Sequence, residues 1–210
     1  MYLTRIMLSL TDPAVADLVF DCQKVHSFVM SGFPMVSSST ARSDMNVLYS
    51  LDCNDRTATL LVQSDEAPAI HNYRIANARI QPMVMTKNVS GMNDLVQTKP
   101  MLTFALFANP TRSEKRTDRP STRKFIADEA ERMEWLYRHL EACGCRVLDA
   151  YEESTEAISG MRRSGRINAV GSHWKGTLQV TDPDKFWAAM REGIGHERAY
   201  GMGMIMVGRA

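Results

Sequence analysis

The sequence predicts an α+β protein made of two consecutive units that share one order of strands and helices. Three observations support this prediction: β-rich segments that alternate in polarity, longer segments with helical spacing of apolar residues, and Pro or Gly near their ends. Hydrophobic residues make up 44% of the 210 positions and charged residues 23%, as in an ordinary globular protein. We therefore expect two small domains, at residues 1–90 and 99–210.

The first half begins with a strand and a helix. Residues 2–9 alternate in polarity and predict the first strand. The Thr-Asp-Pro sequence at residues 11–13 is a helix start, and the apolar spacing after it predicts one amphipathic helix that ends near Met30. The rest of this half predicts a hairpin of residues 47–53 with 57–63, a weaker fourth strand at 71–83 and a polar linker at 86–98.

The second half repeats the pattern. A strong strand at residues 100–109 is followed by a basic loop at 110–124 and a helix at 126–142 that Gly144 ends. Two strands follow, at residues 145–151 and 169–180, joined by a long polar segment. A short helix after Asp182, at 183–190, and a final apolar strand at 202–207 complete this half.

The repeated order of strand, helix, strand, strand, helix, strand is that of the ferredoxin-like (RRM-like) βαββαβ fold. The open four-stranded sheet of this fold often binds RNA, although many such domains bind none. The sequence therefore predicts two tandem ferredoxin-like domains, without a function.

Charge is distributed unevenly along a chain whose net charge is only +1. Residues 112–124 carry six basic and two acidic side chains, a local +4, and residues 162–175 add four basic side chains and no acid. The stretch between them, residues 125–160, carries nine acids and three bases, a local −6. Such segregation can present a cationic face to phosphate, although a charged run is as often only a solvated surface.

No signal sequence or transmembrane segment is visible, so we expect a cytoplasmic protein with no membrane partner. The four cysteines form no paired CxxC framework, and no cluster of histidines completes a metal set. We therefore expect reduced, mostly buried thiols, no metal and no small-molecule cofactor.

The most distinctive segment is the glycine loop, residues 193–203, between the last helix and the last strand. Four of its eleven residues are glycine: Gly193, Gly195, Gly201 and Gly203. Unshielded backbone amides in such a loop can bind phosphate, but glycine composition alone is more typical of a tight turn. The dinucleotide-binding GxGxxG spacing is absent.

The glycine loop and the short apolar strand after it resemble the C-terminal motif of the CRISPR-associated repeat-processing RNases. Three further segments narrow the resemblance to the CasE family: the opening Met1-Tyr2-Leu3, residues 107–111 with the basic residues that follow them, and Ser164-Gly165-Arg166-Ile167. The resemblance implies a metal-independent endoribonuclease that cuts precursor CRISPR RNA at the repeat hairpin and stays bound to the product. It also implies that other Cascade subunits are partners.

His26 matches the catalytic histidine of that family. Its side chain falls about 50° from the centre of the apolar helical stripe, where it can emerge beside the core. Spacing alone favours a boundary histidine with a structural role, whereas the resemblance implies a catalytic one. Some family members have a tyrosine three residues earlier, but here Gln23 occupies that position and cannot transfer protons.

An imidazole suits the implied reaction because it can accept or donate a proton near neutral pH. His196 is the rival histidine, and we expect it to bind RNA. The expected RNA-binding residues lie in the two basic segments and the glycine loop: Arg112, Lys115, Arg116, Arg119, Arg123, Lys124, Arg162, Arg163, Arg166, Gly193, Gly195, His196, Arg198, Gly201 and Gly203.

Two alternatives stay open from the sequence. The chain is either a related subunit that holds RNA without cutting it, or an unrelated tandem ferredoxin-like protein that binds a small molecule or a protein. The match at His26 favours the nuclease over the first alternative, and the glycine loop with its basic segments disfavours the second.

Overall fold

A computed structural model describes residues 1–34, 45–98, 100–114 and 122–210 of the chain. The first half forms a four-stranded antiparallel sheet of order β2-β3-β1-β4. Its elements are β1 Tyr2–Ser9, α1 Pro13–Val19, α2 Cys22–Met30, β2 Leu48–Cys53, β3 Thr57–Ser64 and β4 Met83–Asn88. The helix α3, Met92–Gln97, follows and packs in the core of the second half.

The second half forms another four-stranded antiparallel sheet, of order β10-β5-β9-β8, and a separate hairpin of β6 with β7. Its elements are β5 Met101–Ala108, β6 Thr111–Glu114, β7 Thr122–Phe125, α4 Glu129–Ala142, β8 Cys145–Arg162, β9 Gly165–Val180, α5 Pro183–Glu192 and β10 Ile205–Arg209. Both sheets have the strand order of the ferredoxin-like fold, which confirms the predicted fold class.

Each sheet buries one face against its own helices. In the first half, Ile6 and Leu60 from the sheet pack with Val25 and Val29 from α2. In the second half, Leu106 and Trp174 pack with Leu136 of α4 and residues of α5. Because alternate strand residues face the helices, the period-two pattern in the sequence located these strands correctly.

The prediction of a single helix from residue 13 to Met30 is wrong, because the helix is interrupted at Phe20 and Asp21. Asp21 is extended, with φ of −124°, and its carboxylate accepts hydrogen bonds from the amides of Gln23 and Lys24. An aspartate in this position starts a new helix, so the apolar spacing continues across the break while the helix does not.

The fourth strand of the first half also differs from its prediction. Between β3 and β4 the chain makes only a 3₁₀ turn, Ile70–Asn72, where the second helix of the βαββαβ order was expected. The strand itself is β4, at residues 83–88, and the predicted linker at 86–98 holds its end and the helix α3. The predicted strand at 71–83 lacked strict alternation, which is why its position was misjudged.

Two predicted loops of the second half are β-hairpins. In the described part of the basic loop at 110–124, β6 pairs with β7. The polar segment between residues 151 and 169 continues β8 and β9 as a long hairpin that reaches Arg162 and Gly165. Polar residues on both faces hid these strands, because neither face of the hairpin is buried over its full length. No helix among the described residues combines the length and apolar character needed to cross a lipid bilayer.

One buried ion pair fastens α4 to the sheet. The Arg132 guanidinium lies 2.9–3.0 Å from both carboxylate oxygens of Glu152, and it also donates to the backbone carbonyls of Ile126 and Ala127. The two side chains are only 10% and 5% exposed. Since every partner of the guanidinium is a hydrogen-bond acceptor, the buried charge is well compensated.

Replacing Arg132 with Met leaves the Glu152 carboxylate buried without its cation, so we expect the free energy of unfolding to fall by about 3–5 kcal/mol. Lys175→Met removes a pair with Glu153 whose side chains are 49% and 46% exposed, and we expect it to cost less than about 1 kcal/mol. Urea unfolding followed by tryptophan fluorescence measures both losses. Equal losses in the two variants would contradict this role for the Arg132–Glu152 pair.

Candidate functional site

The helix α2 presents His26 at the border of the first core. Val25 and Val29 of the same helix are buried, whereas the His26 side chain is partly exposed. The predicted emergence of this side chain beside the core is therefore confirmed. Because Gln23 lies about one helical turn before His26, the two side chains lie on the same side of α2.

The second half of the chain reaches His26 through the glycine loop. The 3₁₀ turn Arg198–Tyr200 lies inside the loop and packs on α2. The ring centroids of His26 and Tyr200 are 6.0 Å apart, and the ring planes meet at 68°. The Tyr200 hydroxyl is 3.4 Å from Oε1 of Gln23. The structure thus brings the candidate catalytic histidine to the glycine loop.

The glycines of this loop are required because the backbone there adopts positive φ angles. Gly193, Gly195, Gly201 and Gly203 all have φ between 83° and 86°, a region that side chains disfavour. A Cβ atom at Gly203 would lie 2.6 Å from the carbonyl oxygen of Ile194. The amide of Ile194 donates to the Gly203 carbonyl at 2.8 Å, which closes the loop on itself.

The loop is also held against the first half. Tyr49 of β2 donates its hydroxyl to the Ala199 carbonyl at 3.0 Å, and a Cβ atom at Gly201 would lie 3.0 Å from the Tyr49 ring. Just before the loop, the Arg191 guanidinium binds both carboxylate oxygens of Asp65 at 3.0 and 2.7 Å. These contacts fix where Tyr200 meets α2.

The β8–β9 hairpin is attached to the first turn of α2. The amide of Met161 donates to Oδ2 of Asp21 at 3.2 Å, while Oδ1 of the same carboxylate caps α2. Gly160 is buried, and a Cβ atom there would lie 2.6 Å from the Asp21 carboxylate and 2.9 Å from Cys22 Sγ. Arg162 and Arg163 follow at once, so the basic tip of the hairpin is joined to the helix of His26.

A basic cavity of about 560 Å³ lies between the two hairpins of the second half. Arg123 of β7, Arg166 of β9 and His196 of the glycine loop line it, and Glu197 is the one carboxylate among the described residues that line it. Partial burial and the positive charge of Arg123 lower the pKa of His196, which favours its neutral imidazole. The cavity can therefore receive a phosphate on its two guanidinium groups.

An acidic cavity of about 590 Å³ lies on the other side of β8 residues 157–159, which border both cavities. Asp52, Glu153 and Glu156 line it, and His173 in its wall is paired with Glu156 at 3.0 Å. Tyr200 of the glycine loop and Cys22 of α2 also line this cavity. Carboxylates repel phosphate, so the phosphate groups of a polyanion are favoured on the guanidinium side of β8.

The remaining predicted residues have varied surroundings. Arg112 and Lys124 are exposed on the β6–β7 hairpin, and each is paired with a carboxylate at 2.7 Å, of Glu131 and Glu114 respectively. The Arg198 guanidinium donates to the Glu192 carbonyl at 2.8 Å and so stabilises the loop from within. Three further predicted contacts lie outside the described residues: Lys115, Arg116 and Arg119.

Sequence reasoning missed two residues at this site. Tyr200 was passed over because it is 174 positions from His26, and nothing in one sequence pairs them. Asp21 did carry a signal, since an aspartate before a helical turn is a common N-cap. Within the described ranges, no group of three or more His, Cys, Asp or Glu side chains is arranged to hold a metal ion.

Comparisons with known proteins agree with this arrangement. The sequence model of the family described as "CRISPR associated protein" matches residues 1–209. The CRISPR-associated endoribonuclease Cse3 of Thermus thermophilus is 30% identical over 118 residues, which are 50% of this chain and 54% of Cse3. The alignment thus spans about half the length of the curated relative.

Solved structures share the fold over the whole chain. One structure of CRISPR endoribonuclease Cse3 bound to a 19 nt RNA superposes with a TM-score of 0.79 at 22% identity, over 99% of this chain and 100% of that one. The Cas6e protein of Escherichia coli K-12 superposes with a TM-score of 0.70 at 21% identity, over all of both chains. A chain of a CRISPR RNA-guided surveillance complex gives 0.71 at 19% identity, again over all of both chains.

Asp21→Ala removes the cap of α2 and the anchor of the Met161 amide together. We expect the free energy of unfolding to fall by about 1–2 kcal/mol and hydrogen exchange at Met161 to accelerate. Asp128→Ala removes the comparable cap of α4, where the carboxylate accepts from the Glu131 amide at 2.9 Å. That control should lose similar stability and leave exchange at Met161 unchanged. Unchanged exchange in Asp21→Ala would refute the attachment of the hairpin.

Proposed function

This chain belongs to the CRISPR-associated protein family, and from that premise we propose that it is an endoribonuclease that cuts precursor CRISPR RNA at the repeat hairpin. Its resemblance to the CasE family and its likeness to Cse3, an endoribonuclease, support this proposal. RNA is the partner in the related Cse3 complex. The substrate here is accordingly a CRISPR repeat hairpin, and the site of action is the cytoplasm, where such transcripts are made.

One observation carries the proposal. The His26 side chain lies on a helix that contacts both the glycine loop and the basic β8–β9 hairpin. An imidazole that can move protons near neutral pH thus stands beside the surface that can hold RNA phosphates. Tyr200 of the glycine loop packs against the imidazole itself, whereas the hairpin binds Asp21 at the N-cap of the same helix.

The reaction we propose needs no metal. His26 serves the attack of a ribose 2′-hydroxyl on the adjacent phosphate, and the products are a 2′,3′-cyclic phosphate and a 5′-hydroxyl. Positioning does much of this work, because the nucleophile and the phosphate already belong to one substrate. No cofactor takes part in the proposed step.

The RNA stem is held by phosphate contacts. Arg162 and Arg163 at the tip of the β8–β9 hairpin are exposed, as are Arg123 and Arg166 at the basic cavity. Guanidinium groups bind phosphate oxygens in pairs, and an A-form stem offers phosphates along both strands. Many such contacts slow release, so the protein remains on its product as a subunit of a Cascade assembly.

In this proposal, some residues of the glycine loop shape the loop and others contact the RNA. Gly201 and Gly203 are buried, so they shape the loop, whereas His196 is exposed toward the basic cavity. Gly193 and Gly195 are partly exposed and leave their backbone near the RNA path. The other proposed contacts are Arg112, Lys115, Arg116, Arg119, Lys124 and Arg198.

A cleavage assay with a labelled repeat hairpin tests the function. In excess EDTA we expect the wild type to cut the RNA, and we expect His26→Ala to cut at least about 10²-fold more slowly while binding as tightly. A substrate with a 2′-deoxy group at the cut should bind and stay intact. Tight binding without cleavage by the wild type would support a non-cleaving RNA-binding subunit instead, and no binding would refute both functions.

A separate experiment tests whether the β8–β9 hairpin binds the RNA. Replacing Arg162, Arg163 and Arg166 together with Ala should weaken RNA binding and reduce the slope of log K against log salt by about three, one for each phosphate that is no longer neutralised. A matched triple at Arg56, Arg74 and Arg146, which are exposed outside both basic segments, should leave the slope unchanged. Equal slopes in the two triples would mean that the RNA does not bind at this hairpin.

A further inference from the structure

The His26 imidazole has a phenol as its neighbour. Tyr200, with ring centroids 6.0 Å from His26, belongs to the other half of the chain and is placed by the glycine loop. Its hydroxyl lies 3.4 Å from Oε1 of Gln23, which shares a face of α2 with His26. The phenol and the imidazole therefore lie side by side where α2 meets the glycine loop.

Gln23 sets the direction of the phenol. Its Nε2 donates to Ser27 Oγ at 3.3 Å, and Ser27 Oγ donates to the Gln23 carbonyl at 2.9 Å. With its amide nitrogen committed to Ser27, Gln23 presents its oxygen to Tyr200. The phenol is thus held as a hydrogen-bond donor beside His26.

The proposed reaction moves two protons, one from the 2′-hydroxyl and one to the departing 5′-oxygen, and a neutral imidazole can take only the first. Among the side chains that these contacts place around His26, the amide of Gln23 cannot transfer a proton and the alcohol of Ser27 is a very weak acid. Lys24 is paired with Asp17 at 2.7 Å. Cys22 is buried, and its thiol is a core group. The phenol of Tyr200 is the remaining acid.

We propose that Tyr200 is the general acid of the reaction and His26 its general base, an inference that rests on the proposed nuclease function. The 2′-oxygen forms its bond to phosphorus while the bond from phosphorus to the 5′-oxygen breaks. His26 takes the proton of the 2′-hydroxyl, and Tyr200 gives its phenolic proton to the 5′-oxygen. Proton transfer from the imidazolium to the phenolate then restores both groups.

Single-turnover cleavage of the repeat hairpin tests this role. Tyr200→Phe keeps the ring and removes the acid, so we expect cleavage to slow by about 10²-fold or more at unchanged RNA affinity. Tyr73→Phe is the matched control: it deletes a buried hydroxyl that donates to the Val29 carbonyl at the far end of α2, at 3.3 Å. It should cut at the wild-type rate.

A substrate with sulfur in place of the 5′-bridging oxygen at the cut separates acid catalysis from structure. A thiolate leaves without protonation, so Tyr200→Phe should cut this substrate as fast as the wild type does, while His26→Ala stays slow. The same defect of Tyr200→Phe on both substrates, or no defect on either, would overturn the role of Tyr200. Failure of the wild type to cut either RNA would instead overturn the nuclease function.

Discussion

The arrangement of the site depends on how closely the glycine loop approaches the first half of the chain. The loop can lie against Tyr49 because Gly201 has no side chain, and it can close on itself because Gly203 leaves room for the Ile194 carbonyl. Positive φ angles at these glycines turn the chain sharply enough to direct residues 198–200 toward α2. Without that turn, Tyr200 would not lie beside His26.

A second constraint is electrostatic. The net charge of +1 conceals a division of charge across β8, with Arg123 and Arg166 at one cavity and Asp52, Glu153 and Glu156 at the other. Phosphate groups are favoured at the first cavity, and the second, which Tyr200 also lines, presents carboxylates, so charge as well as shape sets how a polyanion lies across β8. The attachment of Gly160 and Met161 to Asp21 then keeps the basic hairpin in a fixed relation to the helix of His26.

The errors in the sequence predictions have physical causes. Apolar spacing predicted one helix where Asp21 starts a second, because a core stripe can continue through a helix break that a capping side chain stabilises. Polarity on both faces hid the outer part of the β8–β9 hairpin, since strands that stand away from a core carry no alternation. The strands that line a core, such as β1 and β5, showed clear alternation and were located within a residue or two.

The sequence by itself determined the fold class, the two halves with their repeated strand order and the basic segments, because each depends on residue type and local spacing. The candidate role of His26 came from the resemblance to the CasE family, since spacing alone favoured a structural histidine. Only the tertiary structure decided which residues meet: Tyr200 beside His26, Met161 on Asp21, and Arg123 across a cavity from Arg166. Those contacts join positions far apart in the chain. Tyr200 and Met161 cross from the second half to the first, while Arg123 and Arg166 come from two hairpins of the second half, and no local pattern in a single sequence can specify such contacts.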